Sequence, residues 1–135
     1  MQLDPSAFHA DPELIRALSE HATPLVYDED RVLFQQDDPA SGLFILHQGE
    51  VALSMAAQDG KTILSAAATD GSLLGLPGLI SEQPYSLTAV ARAGARVSFL
   101  PRAAFASLMQ SDPMLSFKIL QVLAAEVRSA RHALY

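Results

Sequence analysis

The side chains best suited to metal or acid–base chemistry are four histidines that are spread along the chain: His9, His21, His47 and His132. No two of them are spaced so that one face of a helix or strand would present both to a metal ion. His47 lies in a strand-like run and is interpreted as a solvated residue, with a haem or metal ligand as the alternative. Cysteine is absent, which excludes disulfides, iron–sulfur ligation by thiolates and a cysteine nucleophile. The sequence therefore predicts no metal site and no cofactor.

Serine and carboxylate residues are numerous, but none of them stands in a catalytic pattern. The chain contains neither a Gly-x-Ser-x-Gly nucleophile elbow nor a Walker phosphate loop. The neighbouring Asp37 and Asp38 fall in a hydrophilic segment, where solvation and turn capping explain them. We therefore expect no catalytic residue and a non-enzymatic protein. A small barrel enzyme is the alternative, which a metal in the purified protein would support.

A glycine-rich apolar segment at residues 70–80 is the most informative stretch of the chain. Glycines and a proline interrupt its leucines, so it is typical of neither a strand nor the core of a helix, and we expect its side chains to be exposed. Glycines there let the backbone turn sharply and point N–H groups inward, as phosphate-binding loops do. The alternative interpretation is a tight corner between strands of a barrel.

Length and charge limit the classes of function. The 135 residues suit one domain with a hydrophobic core. Nine basic and fifteen acidic residues give a formal charge of −6, so the chain by itself lacks the basic face that binding of DNA or RNA requires. Charged residues make up only 18% of the chain, which leaves apolar surface for a partner.

No segment resembles a membrane anchor or a leader. The most apolar stretch, at residues 73–80, is far short of the ~20 residues that span a bilayer. The N-terminus has neither the basic start nor the apolar run of a signal peptide. We therefore expect a soluble cytoplasmic protein without a membrane partner.

Two Asp-Pro pairs, Asp11-Pro12 and Asp112-Pro113, predict the starts of helices, because the carboxylate can cap the helix and proline suits its first turn. The first helix is short and ends at Thr23-Pro24, and the second runs without glycine or further proline to Tyr135. Another helix is predicted over residues 101–110. Between the helical ends, short apolar runs alternate with polar turns, which is typical of an antiparallel barrel or sandwich.

The long C-terminal helix carries apolar residues that alternate by three and four, as in a coiled-coil seam. The predicted seam consists of Leu120, Leu123, Val127, Ala130 and Leu134. We expect it to pair with a second copy and form a homodimer. The alternative is packing against the β domain of the same chain, and Phe117, Ile119 and Val122 offer a second apolar face for that purpose.

The order of elements, together with four local stretches, resembles the cyclic-nucleotide-binding domain of the Crp/Fnr regulators. The stretches are residues 43–51, 59–61, 71–75 and 84–89. The resemblance implies a mainly β fold with flanking helices, an antiparallel β-roll of the double-stranded β-helix or jelly-roll type. It also implies that residues 1–135 form a single domain, divided as follows: an N-terminal helical segment at 1–22, the roll at 23–100 and C-terminal helices at 101–135.

The same resemblance argues against a cyclic nucleotide as ligand. In nucleotide-binding members a glutamate holds the ribose hydroxyl and an arginine pairs with the cyclic phosphate; the matching positions here are Leu76 and Tyr85. Loss of such a charged hydrogen-bond partner costs about 2–5 kcal/mol. Binding of cAMP or cGMP in the familiar mode is therefore not expected.

A pocket at this place would be largely apolar, with a few hydroxyl groups. Its expected lining residues are Gly75, Leu76, Leu79, Tyr85, Ser86 and Thr88. Such a pocket would accept a neutral or weakly polar small molecule, or would be filled by its own side chains.

The resemblance implies a signalling or regulatory module. In the regulators a winged helix-turn-helix follows the long helix and reads DNA, whereas this chain ends at Tyr135, so we expect no DNA-reading element in it. The alternative is the sensory domain of a Crp/Fnr-type transcriptional regulator whose helix-turn-helix is absent from this chain.

Overall fold

The structure, a computed structural model, describes residues 3–134 of the chain and the side chains of residues 3–131. The side chains of His132 and of the predicted seam residue Leu134 therefore lie outside the described residues. No helix in the described part of the chain has the length and apolar character to cross a membrane.

The N-terminal helical segment begins with a 3-10 helix at Pro5–Phe8 and continues as α1, Pro12–Ser19. The Asp11 carboxylate accepts a 2.8 Å hydrogen bond from the backbone N–H of Leu14 and so caps α1, as its sequence predicts. The buried face of α1 carries Leu14 and Leu18, which are spaced by one helical turn.

Eight strands follow, and they form two four-stranded antiparallel sheets. They are β1 Thr23–Val26, β2 Arg31–Phe34, β3 Gly42–Gln48, β4 Val51–Ala56, β5 Thr62–Ala68, β6 Ser72–Leu74, β7 Thr88–Ala91 and β8 Arg96–Pro101. The strand order is β1-β8-β3-β6 in one sheet and β2-β7-β4-β5 in the other. This arrangement, with a short N-terminal helix and a long C-terminal helix, confirms the predicted antiparallel β-roll.

Strand β3 is the centre of the hydrophobic core. Residues 42–46 are buried on both faces, which explains their uninterrupted apolar sequence. At Gly42 the neighbouring strand β8 comes so near that a Cβ atom would lie 2.4 Å from the carbonyl oxygen of Leu100. Only glycine permits this approach of the two backbones.

The glycine-rich segment at residues 70–80 differs from the expectation that it is irregular and exposed. Its first half is β6, which pairs with β3, and its second half is the short helix α2, Leu76–Ser81. The side chains of Leu73, Leu74 and Leu76 are fully buried. The prediction was wrong because residues 72–74 become a strand by pairing with β3, which lies about 30 residues earlier. Such distant pairing leaves no recognisable pattern in a run of three residues.

Two helices complete the chain, α3 at Arg102–Ser111 and α4 at Pro113–Leu134. Between them, Asp112 accepts hydrogen bonds from the N–H groups of Met114 and Leu115. α4 packs against α3 and the N-terminal 3-10 helix, and its Ile119 and Val122 are buried in the core. The long helix is therefore fixed to the roll along one face.

Candidate functional site

A cavity of about 120 Å³ lies between the β-roll and α4. The turn from β6 into α2 and the segment before β7 contribute the backbone and polar part of its wall: Gly75, Pro77, Gly78, Tyr85 and Ser86. The N-terminal segment, the strands and α4 contribute its apolar part: Leu3, Phe8, Phe34, Leu53, Met55, Leu64, Leu74, Leu87, Val127 and Ala130. Both the roll and the long helix therefore contact whatever fills the cavity.

Tyr85 is the polar residue that is most firmly held in this wall. Its hydroxyl donates a 2.7 Å hydrogen bond to the carbonyl oxygen of Gly42 and accepts bonds from the N–H groups of Ser41 and Gly42, at 3.2 and 3.1 Å. Its ring stacks on Phe34 with 3.9 Å between the centroids. Since the side chain is buried and its hydroxyl is fully used, Tyr85 is a structural part of the wall.

The Tyr85 ring also covers the turn between β6 and α2. Gly75 forms this turn with φ +99°, and a Cβ atom there would lie 2.8 Å from the Cε1 atom of Tyr85. The space directly above the Gly75 backbone is thus occupied by an aromatic ring. Tyr85 therefore fills the space into which a side chain at this position would project.

The predicted pocket residues are distributed between the cavity and the core. Gly75, Tyr85 and Ser86 line the cavity. Leu76 and Leu79 do not, because α2 turns both side chains into the hydrophobic core. Thr88 is also absent from the lining, and its hydroxyl accepts a 2.9 Å hydrogen bond from the N–H of Gln36.

No lysine, arginine or histidine is among the described residues that line the cavity. Arg92, which follows β7, instead pairs at the surface with Asp30 at 3.1 Å and lies 3.9 Å from Glu50. Anions are bound in proteins chiefly by cationic side chains and by free backbone N–H groups. The wall of this cavity therefore offers an anion no positively charged partner.

Glu126, on α4, is the charged residue of the cavity wall, and the sequence analysis did not identify it. Its side chain is only 8% exposed, and its Oε1 atom has no hydrogen-bond partner among the described residues. Burial raises the pKa of the Glu126 carboxyl to about 8. The signal was present in the spacing, because Glu126 follows the buried Val122 by four residues and Ile119 by seven, and all three share one face.

The predicted seam residues lie on two different sides of α4. Leu120 and Val127 are 53% and 50% exposed, whereas Leu123 and Ala130 are partly buried and pack against the core. Phe117, which was assigned to the second apolar face, is 59% exposed. Phe117, Leu120 and Val127 therefore form one exposed apolar line along α4, one side of which borders the cavity at Val127.

Two of the residues considered for metal or acid–base chemistry, His47 and Asp38, take part in hydrogen bonds that stabilise the roll. The Nε2 atom of His47, which is partly buried, lies 2.7 Å from the hydroxyl of Ser98. Asp38 accepts a hydrogen bond from the N–H of Gln35 and so stabilises the turn after β2. Within the described residues, no group of three histidine or carboxylate side chains is placed to hold a metal ion.

The sequence and the fold can be compared with those of known proteins. A family model described as the cyclic nucleotide-binding domain matches residues 24–112. No protein of curated function matches the chain significantly.

Solved structures share the fold over nearly the whole chain. The catabolite activator protein of Thermus thermophilus is 25% identical, with a TM-score of 0.78 over 97% of this chain and 62% of that one. A transcriptional regulator from Thermotoga maritima is 22% identical, with a TM-score of 0.73 over 89% of this chain and 94% of that one. The sensor domain of the transcriptional regulator DNR from Pseudomonas aeruginosa is 17% identical, with a TM-score of 0.68 over 90% and 82%. The chain thus spans less than two thirds of the Thermus protein.

Proposed function

Because this chain belongs to the cyclic nucleotide-binding domain family, we propose that it is a non-enzymatic signalling module whose ligand is not a cyclic nucleotide. The observation that carries the proposal is the cavity between the roll and α4, which is apolar, lacks a cationic side chain and contains a buried carboxyl. A ligand held there touches both the sheets and the long helix. It can therefore change how α4 sits on the roll.

Three features of the wall argue against cAMP and cGMP. The cyclic phosphate would find no positively charged partner among the described lining residues, and the Tyr85 ring occupies the space next to Gly75. The Glu126 carboxyl would repel a phosphate once it is ionised. The cavity, at about 120 Å³, is also smaller than typical small-molecule sites, which measure about 300–1,000 Å³. A smaller and less polar molecule matches this cavity better.

We further propose that the module is a homodimer that pairs through the exposed line of α4. Phe117, Leu120 and Val127 follow one another by three and seven residues, so they lie on one side of the helix. Exposed apolar side chains in such a row mark a contact surface. Because Val127 belongs to both this line and the cavity wall, ligand binding and pairing of the helices share a residue.

Two measurements test the proposal. Isothermal titration calorimetry with cAMP and with cGMP should show no binding, and micromolar affinity for either nucleotide would contradict the assignment. Native mass spectrometry of the freshly purified protein should show a dimer, with or without a retained small molecule. A monomer at all concentrations would contradict the dimer.

A second candidate is the sensory domain of a Crp/Fnr-type transcriptional regulator. It is favoured by the Thermus catabolite activator protein, of which the chain covers 62% at 25% identity. The two candidates differ in whether the gene encodes a DNA-binding region after residue 135. Sequencing of the reading frame downstream distinguishes them, and a helix-turn-helix there would favour the second.

A further inference from the structure

Among the described residues that line the cavity, Glu126 contributes the only carboxyl group. We propose that the cavity recognises a small apolar molecule that carries one protonated amine, and that Glu126 is the counter-ion of this amine. The inference rests on the proposed function, because it names the chemical class of the ligand that the cavity would bind. It does not depend on the dimer.

The geometry supports a ligand contact more than a structural role. Glu126 is 8% exposed, yet no described group donates a hydrogen bond to its Oε1 atom. Buried carboxyl groups in proteins are normally paired or hydrogen bonded, because removal from water is otherwise unfavourable.

An amine fits this wall better than an anion or a neutral polar molecule. No cationic side chain is among the described residues that line the cavity, so we expect the positive partner of Glu126 to come from the ligand. The fold has already removed the carboxyl from water, so an entering ammonium group loses only its own hydration and gains the attraction of a nearby carboxylate. A neutral alcohol would gain a hydrogen bond without this attraction. The remaining wall suits the apolar part of the ligand.

The proton balance follows from the burial of the carboxyl. Since burial raises its pKa to about 8, Glu126 carries a proton at neutral pH. When an ammonium ion enters, the carboxyl O–H bond breaks and that proton leaves to the solvent, while the ligand keeps its N–H bonds and one of them points to the carboxylate. Amine binding below pH 8 therefore releases up to one proton per ligand and strengthens as the pH rises.

The described titratable groups on the elements that pack against α4 have partners of their own, and Arg128 and Arg131 on α4 itself are exposed. Tyr85 shares the cavity wall, and its hydroxyl is bonded to Gly42. On α3, Arg102 donates a 3.4 Å hydrogen bond to the carbonyl oxygen of Ala40. The remaining groups next to α4 are paired as follows: Asp4 with Ser6, His9 with Thr69, and both Asp11 and Glu13 with Lys118. The pH dependence is thus expected to come from Glu126.

The size of the cavity selects the probe. An apolar protein cavity of about 150 Å³ binds benzene. This cavity measures about 120 Å³ and is partly open to solvent, so a single aromatic ring with a short substituent is the largest probe that we expect it to accept. Benzylamine and benzyl alcohol have nearly the same size and shape, but only benzylamine carries a positive charge. Comparison of the two separates recognition of the amine from simple filling of the cavity.

The experiment is isothermal titration calorimetry of the whole chain with each probe at pH 6, 7 and 8. We expect benzylamine to bind, with an affinity that rises about tenfold from pH 6 to pH 7 and levels off above pH 8. Repetition in buffers with different heats of ionisation should reveal the released proton. Benzyl alcohol should bind more weakly than benzylamine at pH 8, without a pH dependence.

Two variants complete the test. Glu126→Gln keeps the shape of the protonated carboxyl and should lower the affinity for benzylamine at pH 8 by at least about 30-fold. Glu29→Gln, which removes an exposed carboxylate in the turn between β1 and β2, should leave it unchanged.

The outcomes separate this inference from the proposed function. The amine inference is wrong if benzyl alcohol binds as tightly as benzylamine at pH 8. It is also wrong if the affinity for benzylamine is the same at all pH values or is unchanged by Glu126→Gln. In these cases ligand binding in the cavity is still supported. If neither probe binds, both the inference and the assignment of the cavity as a ligand site are wrong. If Glu126→Gln does not fold, the pH dependence of benzylamine binding to the unaltered protein still tests the amine inference.

Discussion

The hydroxyl of Tyr85 and the backbone of Gly42 satisfy one another: the hydroxyl donates to the Gly42 carbonyl at 2.7 Å and accepts from the Gly42 N–H at 3.1 Å. This pair connects the segment before β7 to the start of β3. It also keeps the aromatic ring over the turn at Gly75. The shape of one side of the cavity therefore depends on a single hydroxyl group.

Tyr85→Phe tests this connection. Removal of the hydroxyl leaves the N–H groups of Ser41 and Gly42 without this acceptor in a buried place, so we expect a loss of about 1–3 kcal/mol in the free energy of unfolding. Urea denaturation measures the loss. Tyr27→Phe is the control, because Tyr27 is half-buried and should change stability by less than about 0.5 kcal/mol. Equal stability of the two variants would contradict the structural role of Tyr85.

Glu126→Gln should change how stability depends on pH. The folded protein holds the Glu126 proton up to a pKa of about 8, whereas the unfolded chain releases it near 4.5, so the folded state binds more protons between these values. Binding of this proton stabilises the folded state fully below pH 4.5. As the pH rises towards 8, the folded state loses this stabilisation, which is on the order of 4 kcal/mol. Glu126→Gln has no carboxyl group to ionise, so it should not lose stability in this way. It should therefore be more stable than the unaltered protein at pH 8.5.

The measurement is urea denaturation at several values between pH 5 and pH 8.5, with Glu29→Gln as the matched control. The unaltered protein and the control should lose stability in parallel, while Glu126→Gln should lose much less. If all three proteins give parallel curves, the carboxyl is not held in the protonated state by burial.

Leu120→Glu should separate the proposed dimer into monomers. Leu120 is 53% exposed on the outer line of α4, so a charge there disturbs association without entering the core. Leu123 is less suitable, because it packs partly against the core of its own chain. Light scattering should show half the mass for Leu120→Glu and an unchanged mass for Gln121→Glu, the exposed neighbour. An unchanged mass in both variants would reject the pairing through this line.

Gly42→Ala should destabilise the roll by about 3 kcal/mol or more, since its Cβ atom would lie 2.4 Å from a backbone oxygen of β8 that cannot move away freely. Gly60→Ala is the comparison. Gly60 has φ +86° and open space around it, so the change there costs only the strain of a left-handed residue, about 1–2 kcal/mol. Thermal unfolding of both variants should rank Gly42→Ala as the less stable, and the reverse order would contradict the close approach of β3 and β8.

The structure agrees with the part of the sequence interpretation that depended on local signals. The helix starts at Asp11-Pro12 and Asp112-Pro113 were predicted to the residue, because a capping carboxylate and a proline act within one turn. Strand and turn alternation was equally visible, and it predicted an antiparallel barrel or sandwich, which the family resemblance specified as a roll. Leu76 and Tyr85 were matched to the glutamate and arginine of nucleotide-binding members only through the family resemblance. The absence of nucleotide binding is therefore still a prediction.

The candidate site was only partly accessible from the sequence. The family resemblance placed Gly75, Tyr85 and Ser86 in one pocket, but it did not show that α2 turns Leu76 and Leu79 away from the cavity. The rotation of a short helix depends on what it packs against, which the spacing of its own residues does not reveal.

What the sequence alone determined was local: the caps, the strand and turn periods, the lack of cysteine and the acidic charge. What only the tertiary structure decided was which surfaces meet. α4 comes last in the sequence but packs against the N-terminal 3-10 helix, and this places Glu126 in a cavity that is otherwise lined mainly by residues 3–87. An apolar stripe on a helix shows that it will pack, but contact with a distant part of the chain decides which face becomes core, cavity wall or exposed surface.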